Sequence, residues 1–443
     1  MEVLIENILI YGLVAILCIA VVVIYLRKQK KGSQEVEQKI AKAREEGLHE
    51  PVSLHPEVNV NRCIKTGACI TACPEKDILG IRNGKATTIN ASRCVGHGAC
   101  FHACPTEAIT LVIGTEKRGV DLPHVDKNFQ TNVPGIYIAG ELGGMGLIKN
   151  AVEQGKQAVE NMIKAIKAGH SADYDLVVVG AGPAGISASL TAKKHGLKFV
   201  CLEQDSLGGT VFTFPRSKIV MTKAMELPLY GKVKLSETTK TELLDLWNDA
   251  LGKNEITIRE NTKAEKMIPQ KGHFVVKTSA GDELTTKRIL LSIGRRGSPR
   301  KLGVPGEETE KVAYRLLEPE DISGKEILVV GGGDSAVESA LLLADQNNVA
   351  ISYRRDAFSR IKPKNNERIK KAVEDGKVDV KFNTNVKEIK KEEVILTENE
   401  TGEDISLKND LVYIFAGGEL PTQFLEKTGI KITKKFGEAL LKH

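Results

Sequence analysis

The feature that most restricts the fold of this chain is a glycine-rich turn that occurs twice, each time between an apolar strand and a small-residue helix. The first copy lies in YDLVVVGAGPAGISASL and supplies Gly180, Gly182, Pro183, Ala184 and Gly185. The next strand, KFVCLE, ends in Glu203, an acid placed to bind a ribose 2′-hydroxyl. Glycines permit the tight turn, and the helix N-terminus faces a pyrophosphate. This succession predicts a doubly wound α/β domain that binds a dinucleotide.

The second copy lies in EILVVGGGDSAVESALLLA and places Gly331, Gly333, Ser335 and Ala336 in the turn and at the helix start. Its following strand, VAISYRRDAFSR, ends in Arg354 and Arg355 rather than in an acid. Arginine at this point accommodates a 2′-phosphate, so the pattern favours NADPH over NADH, and Arg360 adds to the same pocket. The alternative is a set of solvated basic residues on a loop.

Two such copies with SIGRRGSPRKLGVPGE between them resemble the thioredoxin-reductase branch of the two-dinucleotide-binding flavoproteins. The segments DISGKEILVVGGGDSAVE and DLVYIFAGGELPTQFL are also similar to that family, and the resemblance spans about residues 119–443. It implies that the first copy holds FAD and the inserted second copy holds NADPH. The Cys-x-x-Cys pair that thioredoxin reductases need for dithiol exchange is missing, since residues 298–443 contain no cysteine. Cys201 is expected to be a buried structural residue.

The order of the family's segments is changed. The closing segment of the family resembles FQTNVPGIYIAGELGGMGLIKNAVEQGKQAV, which here occupies residues 129–159, ahead of the first glycine turn. A circular permutation explains this order, because neighbouring termini make permutation tolerable. The resemblance implies that Gly140 and Glu141 contact the flavin, with Glu141 where the family has an aspartate. The helix that follows would point its N-terminus at the flavin ring and favour the negative charge of its reduced form.

Six of the eight cysteines are grouped in two similar segments, NRCIKTGACITACPE and SRCVGHGACFHACPT. Each reads C-x5-C-x3-C-P, and the first cysteines are 31 residues apart. The pattern resembles bacterial two-cluster ferredoxins, in which the last cysteine of each run ligates the other cluster. Carried over position by position, one iron–sulfur cluster takes Cys63, Cys69 and Cys104, and the other takes Cys94, Cys100 and Cys73.

The second ligand position of each run is not a cysteine. It is Thr66 in the first segment and His97 in the second, so each site has three thiolates. Three thiolates suit either a 3Fe-4S cluster or a 4Fe-4S cluster whose last iron binds another group. His97 is a candidate ligand because imidazole ligates iron in Rieske centres, or else it is a surface histidine in a tight loop. Thr66 is a poor ligand, and water or an empty corner is expected there.

The N-terminus carries an uncharged run from Ile8 to Leu26 that nearly matches a hydrocarbon core of about 30 Å. Arg27, Lys28, Lys30 and Lys31 follow it, which predicts a single-pass anchor in the cell membrane with the N-terminus outside and the catalytic domains cytoplasmic. A buried core helix is the alternative. The charged residues of 32–53 alternate in sign and predict a solvated linker.

The predicted architecture is one N-terminal transmembrane helix, a small α+β ferredoxin-like domain and two doubly wound (Rossmann-like) dinucleotide-binding domains. The expected segments are an anchor with its basic flank at 1–31, a linker at 32–53, an iron–sulfur domain at 54–113, an FAD domain at 114–297 completed by 417–443, and an NADPH domain at 298–416.

The predicted function is an NAD(P)H-dependent oxidoreductase that passes electrons between NADPH, FAD and two iron–sulfur clusters. The partner is a protein electron acceptor or donor or a quinone, with membrane lipid around the anchor. The alternatives are a disulfide or small-thiol reductase and a non-catalytic redox sensor or cluster scaffold. The sequence has no basic stripe interleaved with aromatic residues, so no nucleic-acid binding is predicted. Relatives of the flavoprotein half are often homodimers, so the resemblance implies a possible homodimer.

Overall fold

The structure is a computed structural model that describes the chain except for residues 1, 46–48, 52–53, 74, 76, 95, 97, 145, 166–171, 215–218, 222–223, 236, 296–298, 359–360, 419–420 and 442–443. The chain divides into two compact units. The first comprises residues 1–120 and 435–443, and the second comprises residues 121–434.

The first unit contains one long helix and the two cysteine segments. Its elements are α1 (Glu2–Glu45), β1 (Leu54–Val58), α2 (Ala68–Ala72), β2 (Leu79–Arg82), β3 (Lys85–Thr88), α3 (Ala99–Ala103), β4 (Ile109–Ile113) and the C-terminal strand (Glu438–Leu441). β4 pairs antiparallel with β1 and with the C-terminal strand, and β2 forms a hairpin with β3. Each cysteine segment forms the same short helix followed by a strand.

The described part of the chain has one helix that is long and apolar enough, by length and composition, to cross a membrane. An 18-residue window within α1 has a mean hydropathy of 3.0, and none of it is buried. The helix then continues through the charged segment. This differs from the predicted solvated linker, because Ile40 and Ala43 are buried against the first unit.

The second unit contains both glycine turns. Its helices are α4 (Ile148–Ala165), α5 (Pro183–Lys194), α6 (Lys240–Lys253), α7 (Asp334–Leu343), α8 (Pro363–Glu374) and α9 (Thr422–Lys427). Its strands are β5 (Val120–Pro123), β6 (Ile136–Ile138), β7 (Tyr174–Val179), β8 (Phe199–Leu202), β9 (Ile219–Met221), β10 (Met225–Leu227), β11 (Gly231–Val233), β12 (Glu237–Thr239), β13 (Ile258–Arg259), β14 (Ala264–Pro269), β15 (Phe274–Thr278), β16 (Glu283–Leu291), β17 (Val312–Ala313), β18 (Glu326–Val330), β19 (Asn348–Tyr353), β20 (Val378–Phe382), β21 (Thr384–Ile389), β22 (Glu393–Glu398), β23 (Asp404–Lys408), β24 (Leu411–Ile414) and β25 (Ile432–Lys435).

A seven-stranded sheet carries the first glycine turn. Its order is β13-β8-β7-β16-β15-β14, and β6 pairs with the end of β16. The pairing of β6 is parallel and joins Ile136–Ile138 to Ile289–Leu291. The segment that precedes the glycine turn in the chain therefore completes the sheet that holds it, as the predicted permutation requires.

A five-stranded parallel sheet in the order β17-β24-β18-β19-β20 carries the second glycine turn, and β21, β22 and β23 form a separate antiparallel meander. The second unit therefore has an α/β dinucleotide-binding fold, as the sequence predicts. Two predicted boundaries differ, because residues 114–120 and residues from Lys435 onward belong to the first unit. The C-terminal strand pairs there with β4 rather than completing the FAD domain.

Candidate functional site

The first unit brings together Cys63, Cys69 and Cys104. The pKa of Cys69 is raised, first by burial and then by the charges of Cys104 and Cys63, so the three thiols lie close enough to interact electrostatically. Cys69 lies inside α2, and Cys104 ends α3 of the other segment. This set, which we call triad A, therefore takes two cysteines from the first segment and one from the second.

A second set, triad B, consists of Cys73, Cys94 and Cys100. Burial raises the pKa of Cys100 to about 12, and the charges of Cys94 and Cys73 add to the rise. The same three thiols line one cavity together with apolar Ile78 and Leu111. Both predicted cysteine sets are therefore present as spatial groups, each with two members from one segment and one from the other.

Backbone N–H groups point at several of the sulfurs. Ala108 N–H donates to Cys104 Sγ at 3.2 Å, Ala86 N–H to Cys63 Sγ at 3.4 Å and Gly96 N–H to Cys94 Sγ at 3.4 Å. Burial raises the pKa of Cys104, but the hydrogen bonds from Ala108 and Thr106 outweigh it and lower the pKa overall. Such bonds stabilise the thiolate form, which is the form that ligates iron.

The donor set fits iron–sulfur clusters better than single metal ions. Among the described residues no three His, Cys, Asp or Glu side chains converge closely enough to hold one ion. A cluster of several irons keeps its cysteine sulfurs farther apart than a single ion does, and its sulfur ligands are thiolates. Two partly buried triads with N–H···S contacts meet that requirement.

The fourth ligand positions differ between the triads. Thr66 Oγ1 accepts a hydrogen bond from Ala68 N–H at 3.4 Å, at the start of α2. His97 lies outside the described residues. Sequence reasoning missed Glu75, which lines the triad B cavity with Cys73, Cys94 and Cys100. Burial raises the pKa of Cys94 to about 11, and the Cys73 and Glu75 charges add to the rise. A carboxylate thus stands beside triad B.

The first glycine turn in the second unit is built around close backbone contacts. A Cβ on Gly185 would lie 1.8 Å from the Gly180 carbonyl oxygen, so only glycine fits. Gly180 itself has φ +102°, which favours glycine, whereas a Cβ on Gly182 would meet nothing within 4 Å. The helix α5 begins at Pro183, and Ala184 is buried. The turn leaves open space in front of a helix N-terminus, which suits a pyrophosphate.

Glu203 directly follows β8 beside this turn and is buried. Its Oε2 accepts a hydrogen bond from Ala181 N–H at 2.7 Å, and its Oε1 accepts one from Asp205 N–H at 3.1 Å. The carboxylate is thereby fixed next to the glycine turn, where a ribose hydroxyl would be bound.

A second loop, residues 140–146, follows β6. Gly140 N–H donates to Gln154 Oε1 at 2.8 Å, and Glu141 begins a 3-10 turn ahead of α4. Sequence reasoning did not single out Arg295, although it lies in the SIGRRGSP segment. Burial lowers the pKa of Arg295, and the negative charges of Glu141 and Asp121 oppose that shift. Glu141 therefore has a half-buried cation facing it.

The second glycine turn repeats the arrangement of the first. A Cβ on Gly331 would lie 2.6 Å from the Phe415 carbonyl oxygen, and one on Gly333 would meet nothing within 4 Å. Ala336 is buried in α7, while Ser335 is exposed at its start. Arg354 and Arg355 follow β19 with exposed side chains, and Arg360 lies outside the described residues.

Two further features are Cys201 and a cavity. Cys201 is fully buried, as the sequence predicts, with its Sγ 3.9 Å from the Gly180 carbonyl oxygen, and burial raises its pKa to about 12. A cavity of about 440 Å³ lies between α4, α5 and the β10–β11 hairpin. None of the predicted cofactor residues lines it, so it is not the cofactor site.

Known proteins match both parts of the chain. A family model described as pyridine nucleotide-disulphide oxidoreductase matches residues 177–442, and a model of a 4Fe-4S dicluster domain matches residues 55–105. The bacilliredoxin reductase Bdr of Bacillus subtilis is 27% identical over 267 residues, covering 59% of this chain and 82% of Bdr. A ferredoxin-NADP reductase of Ignicoccus hospitalis is 29% identical over 268 residues, covering 59% and 83%.

Among solved structures, bacillithiol disulfide reductase Bdr from Bacillus cereus has a TM-score of 0.53 at 24% identity, covering 61% of this chain and 85% of that structure. At this identity the likeness concerns the fold alone. The chain thus joins a match to the pyridine nucleotide-disulphide oxidoreductase model with a match to the 4Fe-4S dicluster model.

Proposed function

The chain belongs to the pyridine nucleotide-disulphide oxidoreductase family, and from that premise we propose that it is a membrane-anchored enzyme that passes electrons between NADPH, FAD and two iron–sulfur clusters. It is an FAD-dependent NAD(P)H oxidoreductase with a 4Fe-4S domain. The partner in electron transfer is a one-electron carrier protein or a quinone.

One observation carries this proposal. The same chain holds two partly buried cysteine triads and two glycine turns, and its sequence contains no Cys-x-x-Cys pair. A dithiol relay needs two neighbouring redox cysteines, whereas an electron relay needs cluster ligands. Flavins suit this combination because they handle both hydride and one-electron chemistry.

The residues of the second unit are proposed to bind and orient rather than to donate or accept protons. The turn of Gly180, Gly182 and Gly185 would hold the FAD pyrophosphate, with Glu203 on the ribose and Glu141 toward the flavin. The turn of Gly331 and Gly333 would hold NADPH, with Arg354, Arg355 and Arg360 toward its 2′-phosphate. The six triad cysteines would ligate the clusters, with His97 as a candidate fourth ligand.

The location and the domain limits also belong to the proposal. The apolar part of α1 is the anchor, with a short N-terminus outside and the rest of the chain in the cytoplasm. We propose the predicted limits for the iron–sulfur, FAD and NADPH domains, apart from residues 114–120 and the C-terminal strand, which belong to the first unit. A homodimer is the expected assembly of the flavoprotein half.

A second candidate is a disulfide or small-thiol reductase. It is favoured by the similarity to Bdr, which is named for bacilliredoxin reduction. The two cysteine triads argue against it, because dithiol exchange does not require cluster ligands. NADPH-dependent thiol release from a disulfide panel, persisting after the clusters are removed, would support this candidate.

The test is an anaerobic NADPH titration of the detergent-purified protein, followed by visible absorbance and low-temperature EPR. We expect the flavin to bleach while cluster signals appear or change in step. Flavin reduction without any cluster response, in a sample whose clusters dithionite does reduce, would overturn the proposal and favour the thiol reductase. Negligible steady turnover of NADPH with any artificial one-electron acceptor would instead support a sensor or scaffold.

A further inference from the structure

One face of α1 is packed against the first unit along the part of the helix that follows the apolar run. Gln29, Ser33 and Val36 are half-buried, and Ile40 and Ala43 are buried. The successive steps of four, three, four and three residues from Gln29 to Ala43 keep these side chains on one face of the helix. We call these five residues the docking stripe. It begins three residues after Leu26, where the uncharged run ends.

The docking stripe contacts the β2–β3 hairpin. A Cβ on Gly80 would lie 2.8 Å from Val36 Cγ2, so the helix and the strand approach each other closely. Ser33 Oγ donates to Asn83 Oδ1 at 3.0 Å in the hairpin turn. Beside the stripe, Arg82 pairs with Glu37 at 3.3 Å. These contacts hold the cysteine segments at a fixed height along the helix.

One cation–π contact and one salt bridge give that height, one for each triad. Lys65 lies in the loop between Cys63 and Cys69, and its Nζ is 5.9 Å from the centroid of the Tyr25 ring. Asp77, four residues after Cys73, pairs with Lys39 at 2.5 Å. Tyr25 and Lys39 are about 21 Å apart along a helix that rises 1.5 Å per residue. The loop of triad A is therefore level with the end of the apolar run.

The same loop exposes apolar side chains beside positive charge. Val60 is 53% exposed and Ile64 is 64% exposed, with Arg62 and Lys65 next to them. Apolar side chains flanked by basic ones are typical of surfaces that rest in a membrane interface. We define residues 60–65 as the interfacial loop.

We propose that the interfacial loop rests in the headgroup region of the bilayer that α1 spans, and that triad A is the site that exchanges electrons with a quinone dissolved in that bilayer. This inference rests on the membrane anchor of the proposed function. The overall reaction is NADPH + H⁺ + quinone → NADP⁺ + quinol. Two electrons and two protons reach the quinone, one proton coming from solvent.

The position of the loop is tested by tryptophan fluorescence in nanodiscs whose acyl chains are brominated. Ile64→Trp places the probe in the interfacial loop, and Val60→Trp is a second position should the first fail to fold. Gln38→Trp is the matched control, because Gln38 is exposed on the same helix about 18 Å beyond Leu26. Leu17→Trp lies within the apolar run. Trp247, the single native tryptophan, is fully buried and contributes a constant background.

We expect quenching of the probes at positions 17 and 64 but not at position 38. Quenching of the probe at position 17 without quenching at 60 or 64 would overturn this inference and leave the anchor intact. That result is expected if the loop faces a protein partner instead of the bilayer. Absence of quenching at 17 would overturn the anchor itself. Quenching at all positions would also overturn the inference, because the helix would then lie along the surface.

The quinone is tested through Ile64→Glu, which puts a charge into the interfacial loop. We expect the ratio of long-chain quinone turnover in nanodiscs to ferricyanide turnover to fall by about tenfold or more, since a carboxylate resists entry into the interface. Iron content equal to that of the unaltered protein is the required control. An unchanged ratio would contradict the assignment of triad A to a membrane quinone.

Discussion

At the scale of single residues, the first glycine turn depends on a close backbone contact at Gly185 that leaves no room for a side chain. A Cβ on Gly185 would overlap the Gly180 carbonyl oxygen at 1.8 Å. Gly185→Ala is expected to destabilise the second unit by about 1–3 kcal/mol and to reduce bound flavin, because α5 must move away from the turn. Gly252→Ala is the control, since its Cβ would meet nothing within 4 Å in α6. Flavin absorbance per protein and thermal unfolding measure both effects, and equal flavin content in the two variants would contradict the prediction.

Glu307 gives a prediction with a pH dependence. Burial raises its pKa, but hydrogen bonds from the Tyr314 hydroxyl and from the Leu302 and Gly303 N–H groups outweigh this and lower it below the ordinary value of 4.5. Its stabilising effect is therefore full above about pH 4.5 and is lost as the pH falls through the lowered pKa.

Glu307→Gln should cost about 1–3 kcal/mol at neutral pH, because a charge-assisted acceptor is lost. The difference in unfolding free energy between the variant and the unaltered protein should be smaller below the lowered pKa of Glu307 than at neutral pH. Urea unfolding at neutral pH and at that acidic pH measures it. Exposed Glu310→Gln is the control and should change little at either pH. A loss that is the same at both pH values would rule out the ionised carboxylate as its cause.

Glu75 stands in the wall of the triad B cavity. A negative charge beside a redox centre opposes the uptake of an electron, so Glu75→Gln should raise the reduction potential of the triad B cluster by roughly tens of millivolts. An EPR-monitored redox titration measures the change. Glu57→Gln, at an exposed position of β1, is the matched control. Equal shifts in both variants would mean that Glu75 acts only through the net charge of the unit.

At the scale of elements, the exchange of cysteines between the two segments is the feature to test. Cys73 ends α2 but belongs to triad B, and Cys104 ends α3 but belongs to triad A. Cys73→Ser should abolish the signals of the cluster held by Cys94 and Cys100, while Cys104→Ser should abolish those of the cluster held by Cys63 and Cys69. Iron content and EPR of the two variants measure this. Identical spectra would indicate that each segment holds its own cluster.

Local patterns explain which elements the sequence predicts well. The strand, glycine turn and helix around Gly180 form a contiguous stretch, so their spacing alone indicates the fold. The docking stripe was not predicted, because Val36, Ile40 and Ala43 are scattered among charged residues that look solvated. Glu75 and Arg295 gain their roles only from neighbours distant in sequence. The C-terminal strand was assigned to the FAD domain for the same reason, since its pairing with β4 joins residues more than 300 positions apart.

At the scale of the whole molecule, α1 combines an apolar run with a docking stripe, and two truncations separate them. Deleting residues 2–26 removes the run and leaves the stripe from Gln29 onward in contact with the hairpin. Deleting residues 2–45 also removes the buried residues Ile40 and Ala43. Burial of the isoleucine side chain alone stabilises the first unit by about 1.5–3 kcal/mol.

The shorter truncation should leave the membrane fraction while keeping its iron, its flavin and its NADPH-ferricyanide turnover, because both triads and both glycine turns remain in place. The longer truncation should also be released but should lose iron more readily to a chelator, since the hairpin next to the triads is uncovered. Membrane fractionation, iron content and chelator kinetics measure the three properties. Equal iron retention by both truncations would show that the docking stripe does not stabilise the cluster-binding unit, and a shorter truncation that stays on the membrane would place the anchor elsewhere in the chain.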